Sequence, residues 1–331
     1  MITGKPIRIL GMGTYLPKKL TSPEIENLHG IPSGWSKKYS GVSSRHHVTH
    51  ESNGFMGARA AERALEKAGL SLKDVDLLIS ASGTYDYPLP NQASIIKSEL
   101  VGSKEIDFPA IDIDSACLSF VAAFDIAARI LDGHNMKTIL IVSSEIASKG
   151  LNPNNWETTT LFGDGAAAAI LTHDQNSSSL FIKGMQKTYA EGVYHTLIEG
   201  GGNKKFFKDH PYDMELHSFK MNGKELLRLA KNKIPLFMSD FFKNLPIKLE
   251  EIDVIIPHQA SKLGILIFEK MYSFKEGQVK SSLDKYGNCI AASIPITLCD
   301  CIDSGEIKRG DLCFLSGTSA GFSIGGVLIV Y

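Results

Sequence analysis

Residues Asp112–Phe120 read DIDSACLSF, and the placement of Cys117 within them decides how the rest of the chain is read. The stretch closes a strand-like alternation and opens an apolar, alanine-rich helix (Val121, Ala123, Ile126, Ala127, Ile130). A thiol in the first turn of a helix meets unpaired backbone N–H groups and the positive end of the helix dipole. Both favour thiolate over thiol, so the position predicts a lowered pKa and a nucleophilic sulfur. The competing reading is a small buried core residue, as most free cysteines are. Later stretches decide between the two.

The chain has 331 residues, which predicts two domains or one large α/β unit. Hydrophobic residues make up 43% and charged residues 21%, the balance of a soluble globular protein. A net charge of -1 gives no sign of a nucleic-acid or membrane partner. Met1–Gly11 lacks the pattern of a secretory signal, and no apolar run reaches the roughly 18 residues of a membrane span. The five cysteines show no framework spacing, which predicts reduced thiols and a cytoplasmic location. No metal site is expected. Cys299 and Cys301 point to different faces of a predicted helix, and His46 and His47 read as a surface pair.

Taken in order, Ile7–Gly11 predicts a short strand ending in a turn at GMGTYLP, which lacks the third glycine of a dinucleotide loop. Ser43–His50 is polar and expected to be exposed. Asn53–Gly69 predicts a helix capped by Asn53 and Gly69. Leu77–Ser80 and Lys137–Ser143 predict buried strands, Tyr85–Pro90 and Asn152–Thr159 loops, and Asn91–Leu100 a helix. FGDGAAAAIL (Phe162–Leu171) is a glycine turn leading into an apolar segment. Thr172–Ser179 reads as a linker, which sets the halves at 1–172 and 173–331.

The halves repeat each other. LSLKDVDLLIS (Leu70–Ser80) matches IKLEEIDVIIP (Ile247–Pro257) at an offset of 177, and Gly133 aligns with Gly305 at 172. Two matches at nearly one offset argue for a shared topology of sheets covered by helices on both faces. Across a pseudo-twofold axis the Cys117 helix start would face its counterpart in YGNCIAASIP, which carries Asn288. His258 directly follows the strand equivalent to Leu77–Ser80. A Cys–His–Asn set suits thioester or acyl chemistry through a sulfur nucleophile. A hydrogen-bonded histidine at a strand end and an asparagine in a turn are the bland readings of the last two. Their joint placement at repeat-related positions argues against coincidence.

DIDSACLSF, FGDGAAAA, IPHQAS and YGNCIAASIP, in this order and spacing, resemble β-ketoacyl-acyl carrier protein synthase III and its relatives in the thiolase superfamily. The resemblance implies an αβαβα layered fold, a homodimer and a decarboxylative Claisen condensation. In it Cys117 holds an acyl group, and His258 and Asn288 donate hydrogen bonds to the thioester oxygen of a malonyl-type acceptor. The backbone N–H groups of Cys117 and Ala320 would form the oxyanion hole. Acyl-coenzyme A or acyl-carrier protein would be substrate, with no further cofactor. Trp35 fits the family's adenine-stacking position, but Tyr39 stands where an arginine is usual. Leu263 replaces a basic residue, while Lys262 and Lys270 remain to meet an acidic carrier protein. Leu89 falls at the acyl-pocket gate, in a loop reaching the partner subunit, and Phe162 joins the substrate-binding set. No glutamate base appears near Asn91, which favours malonyl decarboxylation over joining two long acyl chains. Two alternatives remain: an acyl-cysteine enzyme serving another carbon, nitrogen or oxygen acceptor, and a non-catalytic ketosynthase partner.

Overall fold

Leu77–Ser80 and Thr138–Glu145 are buried at every position, so both strands need cover on both faces. The computed structural model, which describes residues 2–331, supplies that cover in layers. One sheet contains β1 (Ile7–Tyr15), β2 (Leu77–Ser80), β3 (Ala110–Asp112), β4 (Thr138–Glu145) and β5 (Gly165–His173), in the order β1-β5-β4-β2-β3. The second contains β6 (Leu180–Thr188), β7 (Val254–Pro257), β8 (Leu312–Ser319) and β9 (Ser323–Val330), in the order β6-β9-β8-β7.

The two orders are the same order. β2 pairs parallel with β4 as β7 does with β8, β4 pairs antiparallel with β5 as β8 does with β9, and β1 pairs antiparallel with β5 as β6 does with β9. Even the short strand β3 has a counterpart, a single parallel bridge between Ile255 and Val279. Leu77 pairs with Ile139 and Val254 pairs with Cys313. The offset is therefore 177 at one strand and 174 at the other, not 172, because the glycine turn before β8 is two residues longer than its partner.

Six helices complete the layers: α1 (Asn53–Ala68), α2 (Gln92–Glu99), α3 (Ser119–Ile130), α4 (Gly223–Phe242), α5 (Lys262–Tyr272) and α6 (Ser293–Asp303). The outer face of the first sheet packs on α1 and α2 through Met56, Ala60, Ile96 and Leu140. The outer face of the second packs on α4 through Phe237, Phe241 and Phe314, with Phe268 of α5 alongside. Between the sheets lie α3 and α6, in one core that joins Phe124 and Leu298 to Ile79 and Leu315. This is the expected αβαβα fold.

Several local expectations are corrected. β1 does not turn at Gly11 and Gly13 but runs on to Tyr15. A Cβ at either glycine would sit 2.4 Å from a backbone oxygen of α1, so the glycines serve close packing of helix on strand. Within Ser43–His50 only Thr49 and His50 are exposed. Ser44–His47 is a strand paired with Lys18–Thr21, Arg45 is fully buried, and His46 and His47 are half-buried. Arg45 donates to the Thr160 carbonyl (2.6 Å) and shares its surroundings with Glu26. Burial pushes its guanidinium down to about 10. Asn152–Thr159 ends in a helical turn, Trp156–Thr159. Ser52, not Asn53, caps α1. Thr172 and His173 belong to β5, because Thr172 pairs with Thr138, so the expected linker is strand at its first two residues. Among the described residues no helix is long and apolar enough to cross a membrane, and no His, Cys, Asp and Glu cluster could hold a metal.

Candidate active site

β3 ends at Asp112, whose carboxylate accepts the Gln92 and Ala93 N–H groups and so caps α2. The chain then turns sharply into a single helical turn, Ala116–Leu118, that leads directly into α3. Ala116 has φ 49, a left-handed conformation that is costly for a residue with a Cβ. Side chains hold the turn in place. Asp114 accepts the Ala116 N–H (2.8 Å), and Ser119 Oγ accepts the Ser115 N–H (2.9 Å) while donating to the Ala116 carbonyl (2.7 Å).

The second half repeats the device. Ile290 has φ 47, Asn288 Oδ1 accepts the Ile290 N–H (2.9 Å), and Ser293 Oγ accepts the Cys289 N–H (2.9 Å). The counterpart of Cys117 is thus Ala291, and the counterpart of Asp114 is Asn288. An N–H can only donate, so this bond fixes Oδ1 as its acceptor and leaves the Asn288 Nδ2 group as a donor of known direction. The two turns touch each other. A Cβ at Gly83 would stand in ordinary contact, 3.4 Å, with both Ala116 and Ile290, which places the two turns side by side there.

Asn288 is also clamped from behind. Its N–H donates to the Leu161 carbonyl (2.9 Å), and its own carbonyl accepts the Gly163 N–H (3.1 Å). A Cβ on Gly163 would stand 2.2 Å from the Tyr286 carbonyl, and one on Gly287 2.4 Å from the Leu161 carbonyl. That is the physical content of the FGDG and YGN motifs. Phe162 supplies backbone to this clamp and packs its ring on Phe219 in an apolar cluster. Asp164 accepts N–H groups from Val48 and Ser148.

His258 follows β7 and is buried, with its N–H donating to the Ser316 carbonyl of β8 (2.8 Å). Gly317 passes so close that a Cβ there would lie 2.5 Å from the His258 Cβ. The ring Nδ1 has no partner, and burial lowers its pKa to about 4. The imidazole is therefore neutral at ordinary pH. Beyond Gly317, the β8–β9 hairpin carries Ala320. Its N–H and that of Cys117 both face the Cys117 sulfur and favour its thiolate.

Those two donors do not prevail. Burial, the charge of Glu145 and that of Asp114 push the Cys117 thiol up to about 12, the opposite of the lowering expected at a helix start. The sulfur lies in a desolvated niche, and desolvation disfavours the anion more than two N–H groups favour it. Glu145 is the residue that sequence reasoning missed. It closes the fully buried strand β4, and its carboxylate accepts the Gly83 N–H (2.7 Å), the Thr84 hydroxyl (2.6 Å) and the Ala291 N–H. Burial pushes its pKa up to about 8. An acidic residue at the end of a strand that starts as an apolar run was the available signal.

The remaining expected residues lie at the surface, away from the sulfur. Trp35 is half-buried with its ring 4.6 Å from that of Tyr39, and Trp156 meets its edge at 6.0 Å. The two rings lie against each other one helical turn apart. Lys262 lays its stem against Gly41, near that aromatic group, and Lys270 is exposed on the last turn of α5. Leu89 is 85% exposed in the loop before α2.

Comparison with known proteins finds relatives along the whole chain. Residues 111–189 match the family 3-oxoacyl-[acyl-carrier-protein (ACP)] synthase III, and residues 242–331 match its C-terminal domain. The chain is 32% identical to the beta-ketoacyl-[acyl-carrier-protein] synthase III of Vesicomyosocius okutanii over 98% of each chain. It is 30% identical to that of Aquifex aeolicus, over 98% of this chain and 99% of the other. The crystal structure of 3-oxoacyl-[acyl-carrier-protein] synthase III from Aquifex aeolicus has a TM-score of 0.87 at 28% identity, covering 98% of this chain and 100% of that one. With such relatives along its whole length, the chain belongs to the 3-oxoacyl-[acyl-carrier-protein] synthase III family of condensing enzymes.

Proposed function

We propose that the chain condenses an acyl thioester with a malonyl-type thioester, with loss of CO₂, as a step of fatty acid or specialised-metabolite synthesis. The observation that carries the roles is the sulfur of Cys117, which faces two backbone N–H groups while the turn bearing Asn288 lies against its own.

Cys117 attacks the donor carbonyl, and the N–H groups of Cys117 and Ala320 take up the charge on oxygen. The donor thiolate leaves and takes the proton from Cys117. Because the resting thiol is well above neutrality, this proton leaves only as the substrate arrives. The acceptor's thioester oxygen then meets the neutral His258 ring and the Asn288 Nδ2 group. Both donate without competing as charged acids or bases, which suits an enolate forming as CO₂ departs. The enolate carbon bonds to the acyl carbonyl, and the C–S bond to Cys117 breaks. No cofactor is needed for these steps.

Tyr39 in place of the usual arginine argues for a carrier-protein donor over coenzyme A. Lys262 and Lys270 are exposed on α5 beside exposed Leu263 and Leu266, a surface suited to an acidic, partly apolar helix of a carrier protein. The unpaired edge of β3, with Ile111 42% exposed, and the loop bearing Tyr85, Tyr87 and Leu89 form the face for a second copy. All five cysteines are free, in keeping with the cytoplasm.

Intact-protein mass spectrometry with acyl-carrier protein and acyl-coenzyme A donors tests the reading. A one-acyl mass gain that Cys117→Ala abolishes is expected. His258→Ala and Asn288→Ala should still acylate while releasing CO₂ from malonyl thioester about 10²–10³-fold more slowly. Absence of an adduct with every donor would leave the non-catalytic partner as the better reading, and parent-rate decarboxylation by both variants would refute their roles.

A further inference from the structure

The repeat gives each part of the active site a counterpart in the other half. β4 and β8 correspond at an offset of 174, and the turns at Ala116 and Ile290 keep the same offset. Cys117 therefore corresponds to Ala291, Asn288 to Asp114 and Ala320 to Ile146. His258 corresponds to Ala81, which donates its N–H to the Val142 carbonyl (2.7 Å) as His258 does to that of Ser316 (2.8 Å). The counterpart set has no thiol and no imidazole. In place of the amide it has a carboxylate, which only accepts when ionised.

What remains of the counterpart site is its pair of backbone donors. In the active site the N–H groups of Cys117 and Ala320 face the sulfur. Their counterparts belong to Ala291 and Ile146, and with no sulfur beside them they have no acyl oxygen to bind. A buried N–H without an acceptor is costly. Both are met from within the chain. The Glu145 carboxyl accepts the Ala291 N–H, and the Thr84 hydroxyl accepts the Ile146 N–H (3.1 Å). Thr84 in turn donates to Glu145 (2.6 Å), so one hydrogen-bonded pair occupies both donors.

We propose that Glu145 is a positioning residue for decarboxylation: its carboxyl takes the place of an oxyanion between these unused donors and so holds the turn that aims Asn288. The inference rests on the assignment of Asn288 to the acceptor. Asn288, Ile290 and Ala291 share one tight turn. Asn288 Oδ1 is spent on the Ile290 N–H, and Glu145 holds the N–H of the next residue, Ala291. Ile290 lies between them at φ 47, a conformation that persists only where its surroundings enforce it. Without Glu145 the turn relaxes, and the Asn288 Nδ2 group moves off the acceptor's oxygen. The bonds that hold the Cys117 turn come from Asp114 and Ser119 instead, so acylation does not depend on Glu145.

The test separates the two half-reactions: acylation of Cys117, read as a mass shift, and CO₂ release from malonyl thioester. Glu145→Ala should lower kcat for CO₂ release about tenfold or more with KM little changed, while acylation is no slower. Burial keeps Glu145 protonated up to about 8, and glutamine reproduces that neutral acid with one carbonyl and one donor group. Glu145→Gln near neutral pH should therefore keep CO₂ release within about threefold of the parent. Thr84→Val keeps the shape but removes the hydroxyl. It should show the Glu145→Ala loss in weaker form, and it decides the matter if Glu145→Ala does not fold. Parent-rate CO₂ release in these variants, equal losses in both half-reactions, or a Glu145→Gln as slow as Glu145→Ala overturns the proposal alone. Parent-rate CO₂ release in Asn288→Ala overturns it together with the role of Asn288.

Discussion

Cys117 and Glu145 hold opposing claims on the same small volume. Two N–H groups favour a charged sulfur, while burial and a neighbouring carboxylate disfavour it, and the disfavouring side prevails. Glu145 is itself kept protonated up to about 8 by burial. Above that pH its charge turns on and works against the Cys117 thiolate. Glu145→Gln removes the charge while retaining a carbonyl for the Gly83 N–H. Alkylation of Cys117 by iodoacetamide should therefore run several-fold faster in Glu145→Gln than in the parent above pH 8, and nearly equally below pH 7. Superimposable profiles would show that the two groups do not communicate. The same carboxyl leaves a mark on stability. The folded protein holds a proton that the unfolded chain releases near 4.5, so stability falls as pH rises from 4.5 to 8. His258 acts in the other direction. Its ring refuses a proton that the unfolded chain accepts near 6.5, so stability falls as pH drops from 6.5 toward 4. Melting temperature in Glu145→Gln should lose the alkaline decline and keep the acid one.

The turns that present Cys117 and Asn288 owe their shape to glycines in other segments. Gly163 and Gly287 let the FGDG segment grip the Asn288 loop, and Gly317 lets β8 pass His258. Gly163→Ala would drive a methyl into the Tyr286 carbonyl, a clash with backbone that no rotamer relieves. It should cost about 1–3 kcal/mol and move Asn288 off its line. The expected result is a lower melting temperature with slower decarboxylation and largely intact Cys117 acylation. An unchanged decarboxylation rate would show that the clamp does not position Asn288. These motifs were visible as strings of letters, but their purpose was not. Gly11 and Gly13 read as a turn because glycine in isolation suggests a turn, whereas here each admits the backbone of α1. Arg45 read as exposed because its neighbours are polar, and only pairing with Lys18–Thr21 takes it inside.

The duplicated halves are not separable bodies, because α3 and α6 lie together between the sheets and fill one core with side chains from both. Either half alone would leave an apolar sheet face and an apolar helix uncovered. Calorimetry on the whole chain should show a single transition, and residues 2–173 expressed alone should give no cooperative melt. A cooperative melt of that fragment would mean that each half carries its own core. The edge at β3 makes a further prediction. Ile111→Lys places a charge on an unpaired, partly apolar strand edge and should shift the protein from dimer to monomer in sedimentation velocity, while a parent that is already monomeric would refute the proposed face.

The repeat of one topology and the proposal of Cys117, His258 and Asn288 as the reacting set came from the chain itself. Periodicity, glycine spacing and the order of motifs are local properties, and a duplication displays them twice. The charge state of the sulfur and the buried role of Glu145 were decided only by the tertiary structure. Each depends on desolvation or on a distance between segments far apart in the chain, and neither quantity exists until the sheets have closed over α3 and α6.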